Sequence, residues 1–347
     1  MEPILDIQLN TLYVFTPGSY LRRDHQAVIV EVERVKKLSL PIHNLDAIAA
    51  FGQVMVSPGL IELCVESGVA VTYLSESGRL IGRVDAPRSG NVLLRREQFR
   101  RADRAEACVP LARAFVAGKI QNARNALLRA ARESTSAEDV AAIDFAAARM
   151  AGSVEELPSA STLDEVRGRE GDAARCYFAA FPRMIRHGRA ELAMVGRSRR
   201  PPLDPVNAML SFTYALMVHD CVAALTAAGL DPDVGFLHAD RPGRPSLALD
   251  LVEEFRTLVA DRLVLALLNR RQITPSQFDR RDGGGVSMNA EARTTLVQSY
   301  VARKRDELRH PLLDKSVRIG QLPFLQAKLL ARHLRGDSES YLPCIVR

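Results

Sequence analysis

Hydrophobic and polar positions change their rhythm once along the chain. Up to about residue 90 the apolar residues come in short runs, TLYVFT, QAVIVEVE, VMVS, VAVTYL and RLIGRV, separated by Pro17, Gly18, Pro41, Pro58, Gly68 and Gly78. Short runs rich in valine and isoleucine and closed by turn formers predict the strands of a small sheet domain. Inside it, SPGLIELCVESG at residues 57–68 has helical spacing with Gly68 just past its end, so one short helix is expected there. The stretch DAPRSGN then punctuates the chain, and from Asn91 onward the pattern is helical. In LARAFVAGKIQNARNALLRAARE, for example, apolar residues recur three and four apart while arginines fill the other face. The expected fold class is α+β: a β-sheet N-terminal domain over residues 1–90 and a larger all-helical domain over residues 91–347.

Three helical-domain segments carry polar groups where the pattern calls for apolar ones, or carboxylates in a cluster. A helix over about residues 167–181 places Glu170 on one face with Ala174, Tyr177 and Phe181. A carboxylate on an apolar face needs a partner, which is either a salt bridge to Arg167, Arg169 or a distant arginine, or a metal ion. From Val206 a helix is apolar nearly all round and is expected to be buried, with Asn207, Ser211 and Tyr214 on one face as hydrogen-bonded groups or as supports around a site. In DVGFLHADRPGRPSLALDLVEEF, His238 ends a short apolar run, and a helix from about Ser246 follows. Periodicity sets Leu251, Phe255, Leu258, Val259 and Ala266 on its apolar side and Asp250, Glu253 and Glu254 on the other, as a solvated face. An imidazole with two or three carboxylates also suits Mn²⁺ or Mg²⁺, and Asp250 and Glu253 are spaced i, i+3.

Composition narrows the picture. The chain has 347 residues, 47% of them hydrophobic, enough for two cores. Residues 1–90 hold eight Lys/Arg against ten Asp/Glu, which leaves 39 against 31 downstream, many of them in arginine clusters such as LLRREQFRRADR and VGRSRRPP. Such a surface suits a polyanionic partner, although a merely solvated helical face has the same look. Cys64, Cys108, Cys176, Cys221 and Cys344 are scattered, odd in number and without a CxxC pair, so reduced thiols are expected rather than disulfides or a cysteine zinc site. The N-terminus lacks a basic leader and no run approaches the roughly 20 apolar residues of a membrane span, so a soluble cytoplasmic protein is expected. There is no P-loop, GxGxxG or HExxH.

Three separated motifs in order, LDEVRGREGDAARCYF, RSRRPPLDPVNAMLSFTYALM and GFLHADRPGRPSLALDLVEEFR, followed by LQAKLLARHLRGD, resemble the CRISPR-associated adaptation integrase. This is the metal-dependent endonuclease family that inserts new spacers into CRISPR arrays. LNTLYVFTPGSYLRRD and SGNVLLRREQFR are similar to the form found with type I-C systems. The resemblance implies a β-sheet N-terminal domain and a helical catalytic domain. It assigns the family's metal-binding glutamate to Glu170, its histidine to His238, its second acid to Glu253 and a further acid to Asp250. Relatives often carry aspartate where Glu253 stands, and Glu254 is the alternative. A divalent ion, Mg²⁺ or Mn²⁺, would then serve the joining of a fragment's 3′-hydroxyl to the repeat. Arg95, Arg96, Arg197, Arg199 and Arg200 are candidates for DNA backbone contacts. The implied partners are double-stranded DNA (the captured fragment and the repeat), a second copy of the chain through the N-terminal domain, and a small ferredoxin-like adaptation protein. A non-catalytic DNA-binding scaffold and a repair nuclease acting on branched DNA are the alternatives.

Overall fold

The structure is a computed structural model that describes residues 5–8, 11–45, 47–75, 80–84, 92–281 and 283–346. The expected breaks at DAPRSGN and Gly78 lie outside the described residues. The chain divides into two compact units, Met1–Gly90 and Asn91–Arg347.

In the first unit, β1 (Leu5–Gln8), β2 (Thr11–Val14), β3 (Tyr20–Asp24), β4 (Ala27–Val32), β5 (Val35–Pro41), β6 (Ala47–Phe51) and β7 (Met55–Val56) precede α1 (Pro58–Glu66). β8 (Ala70–Leu74) and β9 (Leu80–Val84) follow it. They form a five-stranded sheet, β1-β2-β6-β8-β9, and a four-stranded sheet, β5-β4-β3-β7. β6 is parallel to both β2 and β8. Leu12, Val14, Ile48 and Val71 from one sheet and Leu21, Val28 and Val30 from the other share a core with Leu60 and Leu63 of α1. Ser57 caps α1 by accepting from Leu60 N, with Pro58 at the first helical position. The runs around β2, β4, β7, β8 and β9 are the ones the sequence pattern marks; β6 is not among them. Its AIAAF sequence reads as helix-forming, but all five residues are buried in a parallel pairing, where tertiary packing overrides propensity.

The second unit is helical: α2 (Val92–Ala102), α3 (Ala105–Glu133), α4 (Ala137–Glu156), α5 (Leu163–Ala180), α6 (Arg189–Leu192) and α7 (Pro205–Ala227). Then come α8 (Ser246–Val252), α9 (Arg262–Asn269), α10 (Ala290–Arg305) and α11 (Leu322–Arg335). Two hairpins interrupt them, Phe278–Arg280 with Val286–Met288 and Glu307–Arg309 with Ser316–Arg318, so this unit is not purely helical. Asp204 caps α7, accepting from Asn207 N at 2.8 Å, and Pro205 opens the helix. Contrary to expectation, α7 is long and apolar enough by composition to cross a membrane, with a mean hydropathy of 1.5, yet 72% of that window is buried inside the unit. It is the core helix, packed against α8, α9, α10 and α11.

The expected solvated face is also overturned. Asp250, Glu253 and Glu254 do not form a solvated face; they are 0%, 4% and 0% exposed. The segment from Ser246 is not one regular helix: α8 ends at Val252, a turn follows, and Thr257–Asp261 is a π-helical turn before α9. Each irregularity rotates the following residues, so a 3.6-residue projection from Ser246 misassigns their faces.

Candidate metal centre

α5 begins four residues earlier than the periodicity suggests because Thr162 and Glu165 form a capping box. This helix presents Glu170, which is half-buried, toward α3. Neither neighbouring arginine is its partner: Arg169 pairs with Glu156, and Arg167 donates to Asp164 and, at 2.8 and 3.0 Å, to Leu237 O. The partner is Lys119 of α3, whose ammonium contacts Glu170 Oε1 and lies 2.8 Å from Glu253 Oε2. Arg167 and Glu170 are three residues apart on α5, so the tie to Leu237 brings the loop before His238 to the same side of the helix.

That loop is shaped by Asp250. Asp250 Oδ2 accepts from Phe236 N (2.6 Å) and Leu237 N (3.0 Å), and Oδ1 accepts from His238 N (2.9 Å). Oδ1 also lies 2.7 Å from His238 Nδ1. A carboxylate already accepting three N–H groups acts on the ring as an acceptor, so Nδ1 carries a proton and Nε2 is the ring nitrogen turned away from Asp250. Asp250 is thus an orienting group behind the histidine. Gly235 permits the close approach: a Cβ there would lie 2.8 Å from Ser246 Cβ and 2.9 Å from His238 O.

The turn after α8 sends Glu253 and Glu254 to different tasks. Glu254 accepts from Tyr341 Oη (2.5 Å), Gln326 Nε2 (3.0 Å) and Cys344 N (2.8 Å), holding the C-terminal strap. Burial raises its carboxyl to about 7 despite those three donors. Gly118 makes room for it, since a Cβ there would lie 3.1 Å from Glu254 Cγ. Glu253 faces Lys119 and, through Oε1 at 3.1 Å, Arg256. Burial pushes its carboxyl up, but Arg256, Lys119 and His238 outweigh this and hold it at about 2. Glu253 is therefore the acid that shares Lys119 with Glu170, and Glu254 is committed to the C-terminal strap.

Asn207, Ser211 and Tyr214 connect to this cluster only through intermediaries. Arg197 donates to Asn207 Oδ1 (2.7 Å) and Ser211 Oγ (3.0 Å) and stacks over the Tyr214 ring. Arg256 stacks over the same ring, its carbon 4.8 Å from the centroid. Tyr214 and Tyr177 both donate to the buried Asp261. The chain of contact runs Arg197, Tyr214, Arg256, Glu253. Arg197 is thereby committed to internal contacts, which removes it from the exposed arginines expected to meet DNA; Arg96, Arg199 and Arg200 are exposed and Arg95 is half-buried. Sequence reasoning passed over Lys119 and Arg256. Lys119 had a signal, because it lies four residues from both Phe115 and Ala123 on the apolar face of α3, the same anomaly that singled out Glu170.

These residues fit a divalent cation. The imidazole nitrogen and two carboxylates are a suitable donor set, and the buried Glu253 Oε2 already faces a cation, the Lys119 ammonium 2.8 Å away. Among the described residues no three His, Cys, Asp or Glu side chains converge as ligands, because the Lys119 ammonium stands between Glu170 and Glu253.

The sequence profile of the family described as CRISPR associated protein Cas1 matches residues 12–302. The chain belongs to the Cas1 family. It is 47% identical over 339 residues to CRISPR-associated endonuclease Cas1 1 of Chlorobaculum tepidum, covering 98% of this chain and 99% of that one. A casposase bound to its integration product shares the fold, with a TM-score of 0.81, 21% identity and coverage of 96% and 93%. So does a chain of a Cas6-RT-Cas1–Cas2 complex, with a TM-score of 0.83, 22% identity and coverage of 99% and 37%. As a Cas1 protein the chain is an endonuclease and integrase of CRISPR spacer acquisition.

Proposed function

We propose that Glu170, His238 and Glu253 are the metal ligands of this integrase, with Mn²⁺ or Mg²⁺ as the ion, and that the site joins the 3′-hydroxyl ends of captured DNA fragments to the CRISPR repeat. The observation that carries the reading is that Glu170 of α5 and Glu253 of the turn after α8 share one cation, the Lys119 ammonium, while Asp250, three residues before Glu253, holds His238. When bound, the cation supplies neutralisation of charge at the scissile phosphate and activation of the attacking hydroxyl. The protein's own residues prepare the place. Asp250 fixes the tautomer and direction of His238, and Arg256 holds Glu253 Oε1 while leaving Oε2 toward Glu170's partner. Water in place of the 3′-hydroxyl gives plain cleavage.

Arg95, Arg96, Arg199 and Arg200 are the proposed contacts to the DNA backbone, giving an affinity that falls steeply with salt. The N-terminal unit serves as the dimer surface, and a small ferredoxin-like protein completes the assembly of a type I-C system. The test is strand transfer of pre-cut DNA with free 3′ ends into a supercoiled repeat-bearing plasmid with Mn²⁺. Glu170→Ala is expected to lower the joined product by about a hundredfold or more; equal product from both proteins would refute a catalytic Glu170.

A further inference from the structure

The geometry points to Lys119 as a resident counter-cation that occupies the place between Glu170 and Glu253 and must leave it for a divalent ion to bind. This rests on the metal centre proposed above and concerns what guards it. Lys119 is on α3, a different element from every proposed ligand, and its side chain is only 12% exposed. Its ammonium touches Glu170 Oε1 and lies 2.8 Å from the buried Glu253 Oε2. One ammonium thus bridges both carboxylates, the place a divalent cation would take.

Charge counting gives the consequence. Glu170, Glu253 and Asp250 contribute three negative charges, and Lys119 and Arg256 two positive ones, so without a metal these groups carry a single net negative charge. Adding a dication leaves an excess of one positive charge, which the withdrawal of one monovalent cation removes. Arg256 is fixed over the Tyr214 ring and to Glu253 Oε1, whereas Lys119 is on a flexible stem. A cavity of about 20 Å³ adjoins Lys119, lined mainly by apolar groups such as Ile120, Ala123, Met150 and Phe178, so the lysine stem is not tightly packed on that side. Lys119 is a positioning residue: it keeps two carboxylates together in the metal-free protein and sets how tightly the ion is taken up.

The test uses the full-length chain and needs no DNA. Mn²⁺ binding is measured by calorimetry and by the spin-resonance signal of free Mn²⁺, and thermal unfolding is followed in EDTA and in Mn²⁺. Lys119→Met is expected to bind Mn²⁺ at least about tenfold tighter than wild type, to melt earlier in EDTA, and to gain more from Mn²⁺ than wild type does. Lys119→Arg, which keeps the charge, is expected to retain the wild-type melting temperature in EDTA. If Lys119→Met does not fold, Lys119→Gln, which keeps a donor between the carboxylates, takes its place with the same expected direction. Equal or weaker Mn²⁺ binding by the neutral variant overturns the inference whatever the melting temperature does. Failure of the metal centre itself has a different signature: Mn²⁺ binding that survives both Glu170→Gln and Glu253→Gln.

Discussion

Asn122 of α3 is 1% exposed and holds the C-terminal strap against the backbone of the turn after α8. Its amide donates to Glu254 O and Cys344 O, both at 2.8 Å, and its Oδ1 accepts from Val346 N at 2.9 Å. Asn122→Ala strands all three groups. Glu254 and Cys344 are buried, so each orphaned carbonyl costs about 1–3 kcal/mol; Val346 is half-buried, and its N–H recovers part of the loss from water. The expected destabilisation is about 4 kcal/mol, a large share of the roughly 5–15 kcal/mol that keeps a domain folded. Asn125→Ala is the internal comparison, because Asn125 makes one bond to the same strap, to Val346 O at 2.8 Å, from a half-buried position. It should cost about 1 kcal/mol. Urea unfolding of both variants in EDTA, followed by far-ultraviolet circular dichroism, measures the difference. Because Glu254 O lies one residue from Glu253, strand transfer by Asn122→Ala should also fall, by about tenfold, as the turn loosens. The reasoning is refuted if Asn122→Ala is no less stable than Asn125→Ala.

Two further outcomes are expected. Glu254 has a folded-state carboxyl raised by burial to about 7 from 4.5, so its contribution to stability is fully present below 4.5 and is lost as pH rises through about 7. The loss amounts to roughly 3 kcal/mol, and Glu254→Gln should flatten the stability profile between pH 5 and 7 in EDTA; parallel wild-type and variant profiles would contradict it. Asp250→Asn replaces an acceptor with a group that cannot satisfy both the 235–238 backbone and His238 Nδ1, so calorimetry should show Mn²⁺ affinity about 10–100-fold weaker, and unchanged affinity would remove Asp250 from the orienting role.

Much of this protein is legible in one dimension. The change from short β runs to helical spacing marks the α+β class, because alternate burial on a sheet and three-to-four spacing on a helix are written directly into side-chain order. Glu170 stands out for a related reason: a carboxylate among Ala174, Tyr177 and Phe181 contradicts its own face. The motif order around Glu170, His238 and Glu253 points to the Cas1 family, to which the profile match over residues 12–302 assigns the chain.

Tertiary structure alone decided what each polar group touches. Glu253 and Glu254 are adjacent and chemically identical, and periodicity placed both in solvent. The break after Val252 turns one toward Lys119 and Arg256 and the other into the strap around Cys344, 90 residues away. Arg197 has the same side chain as Arg199 and Arg200, yet it is held inside by Asn207, Ser211 and the Tyr214 ring. Lys119 meets Glu170 and Glu253 from a helix 51 and 134 residues distant in sequence. Local pattern records which face a residue occupies in a regular element. It cannot record where that element is interrupted or which distant charge arrives there, because both are set by the packing of the whole unit.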